Sequence, residues 1–181
     1  MSHYRRASVA GGSFFFTVVT YRRRPWLIED AARTALRDAI ERTREKHPFT
    51  IDAWVLMPDH LHCIWTLPAN DADFSTRWAL IKRRVSFTLG QSLHLEAWMS
   101  PSKEKHGEST LWQRRFFEHT IRDDADFERC ANYIHHNPVK HGLVERVEDW
   151  QWSSFHRYVQ QGTYAKDWTG DSSESMQGDD M

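Results

Sequence analysis

The sequence predicts an α+β protein with a ferredoxin-like split β-α-β core, a central four-stranded antiparallel sheet covered by helices. Three observations carry that prediction. Strand-like and helix-like runs follow one another in the order β-α-β-β-α-β-α. Two of the strand-like runs, residues 49–56 and 60–67, are separated only by the turn-prone Met57-Pro58-Asp59 and read as a hairpin. At 181 residues, with 40% hydrophobic content, the chain suits one compact domain that buries roughly 70% of its unfolded surface. Collagen, low-complexity disorder and a long coiled coil are excluded by the same composition. Cys63 and Cys130 read as reduced thiols, because a core of this size needs neither a disulfide nor a structural metal.

The elements follow in chain order. Residues 1–12 form a basic arm ending in Gly11-Gly12. The run Phe14-Phe15-Phe16-Thr17-Val18-Val19-Thr20 is aromatic and β-branched and predicts a buried strand, closed by Arg22 to Pro25. Glu29-Asp30 open a helix in which Ala32, Leu36, Ala39 and Ile40 recur at helical spacing until His47-Pro48. After the hairpin, residues 74–92 carry Trp78, Ile81, Val85 and Leu89 at spacings of three and four, and a polar loop follows at 100–109. Residues 111–121 contain the fourth strand. Asp123 to Asp126 then cap a helix with an apolar stripe of Phe127, Cys130, Ala131 and Ile134, expected to end at Pro138. The segment Glu148 to Phe155 is too aromatic for a linker and is expected to pack back on the domain. The domain is thus expected to occupy 13–166, ahead of an acidic, disordered tail at 167–181.

Charge separates along this chain. The tail carries five acidic residues and no Lys or Arg, so residues 1–166 keep all 24 basic residues against 20 acidic ones, a formal +4. The basic residues cluster as Arg5-Arg6, Arg22-Arg23-Arg24, Lys82-Arg83-Arg84 and Arg114-Arg115, which suits a polyanion such as nucleic acid. No window approaches the roughly 18 apolar residues of a spanning helix, and no apolar run precedes a cleavage site, so a cytoplasmic protein is expected.

Two constellations carry chemistry. In His60-Leu61-His62 the imidazoles lie two apart in a strand, so both face one side and can reach one ion, while Leu61 and Cys63 face the other. Alone the pair is also compatible with two ordinary histidines among the 11 present. In Tyr133-Ile134-His135-His136-Asn137-Pro138, Tyr133 and Asn137 are four apart on one helical face, with His136 beside it. Tyr133 is a candidate nucleophile and Asn137 a candidate oxygen donor to a divalent ion. A buried Tyr with an Asn cap before Pro is the structural alternative.

Taken together the motifs resemble a family. His60-Leu61-His62 is similar to the HUH motif of single-strand DNA endonucleases, and Tyr133 with Asn137 resembles the catalytic helix of their single-tyrosine branch. Four ordered stretches, Gly11 to Thr20, Met57 to His62, Trp112 to Phe116 and Tyr133 to Lys140, look like the REP-associated tyrosine transposases. The resemblance covers about residues 4–158 and leaves out the acidic tail. It implies cleavage and joining of single-stranded DNA folded into REP hairpins beside a short guide tetranucleotide. Mg²⁺ or Mn²⁺ would be held by His60, His62 and Asn137, with Tyr133 forming a 5′-phosphotyrosine and freeing a 3′-OH. It also implies a monomer, whereas related insertion-sequence transposases form dimers with exchanged tyrosine helices.

Beside the resemblance, His136 is the candidate base for the phenolic proton, and His119 a second one. Arg5, Arg6, Arg22, Arg23, Arg83, Arg114 and Arg115 are the candidate DNA contacts, because guanidinium binds phosphate and guanine in a bidentate way. Trp26 and Trp78 are candidates for stacking on bases. The rival expectation is a domesticated relative that binds hairpins without cutting them.

Overall fold

A computed structural model describes residues 8–170; Arg5 and Arg6 of the arm, and the tail from residue 171, lie outside the described residues. Strands β1 (Ser13–Val19), β2 (Thr50–Leu56), β3 (His60–Thr66) and β4 (Phe117–Thr120) form one antiparallel sheet in the order β2-β3-β1-β4. The two central strands are the two that the sequence places there. Both are buried almost end to end, as continuous apolar runs require.

Alternation along these strands divides the interior in two. Phe14, Phe16 and Val18 of β1 and Leu61, Cys63 and Trp65 of β3 face α1 (Asp30–Lys46) and α2 (Phe74–Leu93). Helix α1 turns Ala32, Leu36, Ala39 and Ile40 inward and stops at His47, one residue before Pro48. Helix α2 starts at Asp73, whose carboxylate accepts from the Thr76 N–H at 2.9 Å, and packs Trp78 flat on Trp65 with centroids 4.1 Å apart. Trp26 and Trp78 are both buried in this core, so neither has a face for a base. Apolar burial outcompetes the surface role that composition alone had suggested. The polar loop after α2 contains the short α3 (Pro101–Lys105), capped by Ser100. Cys63 and Cys130 are unbridged and buried, as expected.

The other sheet face meets α4 (Asp124–Lys140). Asp123 caps it through the Asp126 N–H at 2.8 Å, and Cys130, Ala131, Tyr133 and Ile134 pack on Phe15, Ala53, Val55 and Ile64. The helix does not end at Pro138. Lying in the last turn, Pro138 sacrifices only a bond near the helix end, and the helix continues to Lys140. It closes where Gly142 takes φ +66°, with the Gly142 N–H donating to the Val139 carbonyl and the Leu143 N–H to the Pro138 carbonyl, both at 2.9 Å. Asn137 is therefore inside the helix and not its cap.

Residues 150–155 pack back as expected, and they do so along the open edge of β2. The Leu56 N–H donates to the Trp152 carbonyl (2.9 Å), the Ser154 N–H to the Trp54 carbonyl (2.8 Å), and the Trp150 indole N–H to the Leu56 carbonyl (3.0 Å). An edge that would otherwise invite another strand is covered. Helix α5 (Phe155–Gln160) follows, and its Tyr158 hydroxyl donates to the carbonyl of Asp52, the extra residue of a bulge in β2. No helix among the described residues is long and apolar enough to cross a membrane.

His135 clasps α4 to this C-terminal segment. Its Nε2 lies 2.8 Å from Ser154 Oγ and its Nδ1 3.3 Å from the Tyr164 hydroxyl, which itself donates to Asn132 at 2.6 Å. Burial, with smaller effects from Arg157 and His156, pushes its pKa down to about 3. The folded chain thus refuses a proton that the unfolded chain accepts below its ordinary pKa of about 6.5. Stability fully present above that value is lost as the pH falls toward 3, at up to about 1.4 kcal/mol per pH unit from this one group. Urea titrations at pH 7, 6 and 5 should show that slope, and His135→Gln should remove its share.

Candidate active site

β3 turns His60 and His62 toward α4, with ring centroids 4.8 Å apart. Leu61 and Cys63 lie in the opposite core, as the alternation predicts. Each imidazole is held from behind. The pairing register sets Thr17 of β1 opposite His62, and Thr17 Oγ1 lies 2.9 Å from His62 Nδ1. Asp59, in the hairpin turn, places Oδ1 2.6 Å from His60 Nδ1 and takes the Arg23 guanidinium on Oδ2 at 3.2 Å. Burial tends to raise the Asp59 carboxyl, but the hydrogen bonds and charges of His60 and Arg23 outweigh it and hold it below the usual carboxylate range. For His62, burial first and the nearby His60, His141 and Lys140 charges second push the imidazole well below its ordinary value, so it is neutral near pH 7. A neutral imidazole with Nδ1 engaged offers Nε2 as a donor to a metal.

α4 supplies the opposing groups. Tyr133 stands edge-on to His62 with centroids 5.3 Å apart, and also meets Phe15 at 5.9 Å. Asn137 follows one turn later, fully buried. Lys140, a further turn on, sets Nζ 4.9 Å from the Tyr133 ring centroid. His141, just past the helix, lies 5.3 Å from His60 ring to ring.

Several polar atoms here are buried without a hydrogen-bond partner: His62 Nε2, the Tyr133 hydroxyl, and both Oδ1 and Nδ2 of Asn137. Each such atom costs about 1–3 kcal/mol. His62 and Tyr133 meet ring to ring and Asn137 follows one turn along α4, which makes these atoms candidates to receive something from outside the chain. Imidazole nitrogen with an amide oxygen is a donor set that fits a divalent cation of the Mg²⁺ to Mn²⁺ kind.

Other predicted residues are distributed differently. His136 packs against Gly170, whose approach is so close that a Cβ there would lie 2.5 Å from His136 Nδ1. His119 is 2.9 Å from an Asp126 carboxylate oxygen. His119, Asp126 and Cys130 could gather round an ion, but Asp126 already accepts from the Arg122 backbone (3.0 Å), the Arg122 side chain (3.3 Å) and Arg129. That carboxylate is saturated and serves to anchor the start of α4.

Among the arginines, Arg23 is committed to Asp59, and Arg22 lies over the Trp98 ring at 4.7 Å. Arg83 and Arg114 line one cleft of about 570 Å³ between α2 and residues 106–114, where Arg114 also pairs with Glu108 at 3.1 Å. Arg115 is exposed. The sequence reading overlooked Thr17, Asp59, Lys140 and His141. Strand alternation held a signal for Thr17, which shares its face with Phe15, but its pairing with His62 depends on register.

Comparison with known proteins agrees with this geometry. The family model described as "Transposase IS200 like" matches residues 9–137. A REP-associated tyrosine transposase of Escherichia coli K12 is 42% identical over 179 residues, covering 99% of this chain and 98% of the relative. A Haemophilus influenzae protein carrying the same family name is 40% identical over 99% of both chains. A solved structure of a REP-associated tyrosine transposase bound to a REP hairpin superimposes with a TM-score of 0.84, at 42% identity, over all of this chain and 99% of that one. With the fold, the histidine pair and the tyrosine helix all in place, the chain belongs to the IS200-like transposase family of HUH single-strand DNA endonucleases, in its REP-associated tyrosine transposase branch.

Proposed function

We propose that this chain cuts and rejoins single-stranded DNA bearing REP-like hairpins, through a 5′-phosphotyrosine on Tyr133. The observation that carries this reading is the meeting of His62 Nε2, the Tyr133 hydroxyl and the Asn137 side chain in one buried place, all without internal partners. His60, His62 and Asn137 would hold a divalent ion, Mg²⁺ or Mn²⁺, and imidazole donors favour Mn²⁺. When bound, that ion withdraws charge from the scissile phosphate. Thr17 and Asp59 keep the two imidazoles turned for that task.

Tyr133 attacks phosphorus, and the 3′-oxygen departs. His136, three residues along the helix, receives the phenolic proton. The phosphotyrosine conserves the energy of the broken phosphodiester, so a second 3′-OH can reverse the step and join strands.

The DNA partner follows from the hairpin-bound relative and from the basic clusters. A hairpin is gripped through backbone and shape, and Arg22, Arg83, Arg114 and Arg115 suit that role. Arg5 and Arg6, which lie outside the described residues, are proposed for the unpaired bases. Arg23, also a proposed DNA contact, acts on the site through Asp59. The segment covering the β2 edge supports a monomer; a DNA partner of this kind would place it in the cytoplasm, on the nucleoid.

The test is incubation with hairpin oligonucleotides carrying varied flanks in Mn²⁺, Mg²⁺ or EDTA, followed by denaturing gels and peptide mass spectrometry. A metal-dependent adduct on Tyr133 is expected, absent from Tyr133→Phe and His62→Ala. Hairpin binding without cleavage across all flanks would instead identify a domesticated binding protein. Metal titration gives a second prediction: Thr17→Val should weaken Mn²⁺ binding by about 10- to 100-fold in calorimetry, while Thr17→Ser keeps it near wild type.

A further inference from the structure

We infer that Lys140 is the charge partner of Tyr133, stabilising the negative oxygen of that side chain as it attacks phosphorus and again as it is expelled. The inference rests on the tyrosine-nuclease reading above and concerns the same site. It starts from a feature of the backbone. Because α4 runs on through Pro138, Lys140 falls seven residues after Tyr133, two turns along the same helical face. Its ammonium nitrogen lies 4.9 Å from the centroid of the Tyr133 ring. The other cation of α4 one turn from Tyr133, Arg129, is paired with the Asp126 carboxylate.

The chemistry requires such a group. A neutral phenol attracts an ammonium over its ring only through the ring quadrupole, a weak attraction at an exposed site. Negative charge developing on the phenol adds a Coulomb attraction; Tyr133 is only 3% exposed, and water screens the pair from the side of Lys140, which is exposed. The interaction is thus stronger in the charged state than in the resting one, which is the condition for accelerating a step.

In cleavage the Tyr133 Oη–P bond forms as the P–O3′ bond breaks. The phenolic proton passes to His136, and the departing O3′ takes a proton from water. In joining, an incoming 3′-oxygen bonds to phosphorus and gives its proton to water, the Oη–P bond breaks, and Tyr133 leaves as the anion before it is reprotonated. Lys140, over the ring that carries the charge, acts in both directions.

A lysine in the last turn of a helix also has an ordinary structural use, since it complements the helix dipole. The experiment therefore separates charge at Tyr133 from helix stability. Single-turnover rates of adduct formation and of rejoining are measured on the full chain with a hairpin oligonucleotide and Mn²⁺, for Lys140→Met, Lys140→Arg and wild type. Both rates should fall about 10- to 100-fold in Lys140→Met, with DNA affinity changed less than about threefold, and Lys140→Arg should recover most of the loss.

Replacing Tyr133 by 2,3-difluorotyrosine, whose anion needs less stabilisation, should restore Lys140→Met far more than it accelerates wild type. Unchanged rates in Lys140→Met, a loss confined to DNA affinity, or no rescue by the fluorinated tyrosine would overturn the inference while leaving the nuclease reading intact. Failure of wild type to form an adduct on any hairpin would overturn both.

Discussion

The packing of the Tyr133 face of α4 against the His60 and His62 face of β3 is the contact on which the rest of the molecule depends. The imidazoles come from a central strand, and the phenol and amide from a helix more than seventy residues later. Neither element holds a site alone. They meet because Phe15, Ala53, Val55 and Ile64 give α4 an apolar bed for Cys130, Ala131 and Ile134. The apolar contacts fix the helix in depth and rotation, and the polar groups are carried into place by them. Burial then supplies the chemistry, because the same exclusion of water that keeps His62 neutral leaves the Tyr133 hydroxyl and the Asn137 amide unsatisfied.

That arrangement costs stability, and the fold offsets the cost on the far side of the sheet. There, Phe14, Phe16, Trp65, Phe74, Trp78 and Phe116 form a continuous aromatic block under α1 and α2. One face of β1 and β3 is given mainly to aromatic packing, and the other carries the histidine pair opposite Tyr133 and Asn137. The C-terminal segment adds a brace, closing the β2 edge through residues 150–155 and gripping α4 through His135.

Much of this was legible in local sequence. The aromatic and β-branched run of β1, the stripe of α1, the Asp123 cap and the alternation of His60 and His62 each follow from rules that act over a few residues. The remainder depends on distance and register. That Thr17 steadies His62 is settled by the pairing of strands 45 positions apart. That Arg23 holds Asp59 is a contact across 36 positions, and in the sequence it reads as one more basic residue in a cluster. Trp26 and Trp78 show the same limit, since composition counts tryptophans without saying which are interior. Pro138 shows a local rule overridden: proline predicts a stop, but the bonds around Gly142 and the packing of Asn137 keep the last turn helical.

The turn at Tyr21 to Arg24 draws these strands of argument together. Arg22 and Arg23 both take left-handed backbone, at φ 56° and 51°, which costs of order 1 kcal/mol per residue for side chains of this kind. Thr20 holds the turn, its hydroxyl donating to the Asp59 and Arg24 carbonyls at 2.9 Å and its N–H to Asp59 as well. The result is that consecutive arginines part company. Arg22 goes out over Trp98 at the surface, and Arg23 turns back to the carboxylate that orients His60. An extended backbone would send both side chains to opposite sides of the chain with no such choice of partners. Strain of this kind persists only where surrounding bonds over-determine it, and here the bonds that do so end on Asp59, so the arginine proposed for DNA and the carboxylate that orients His60 are held through one turn.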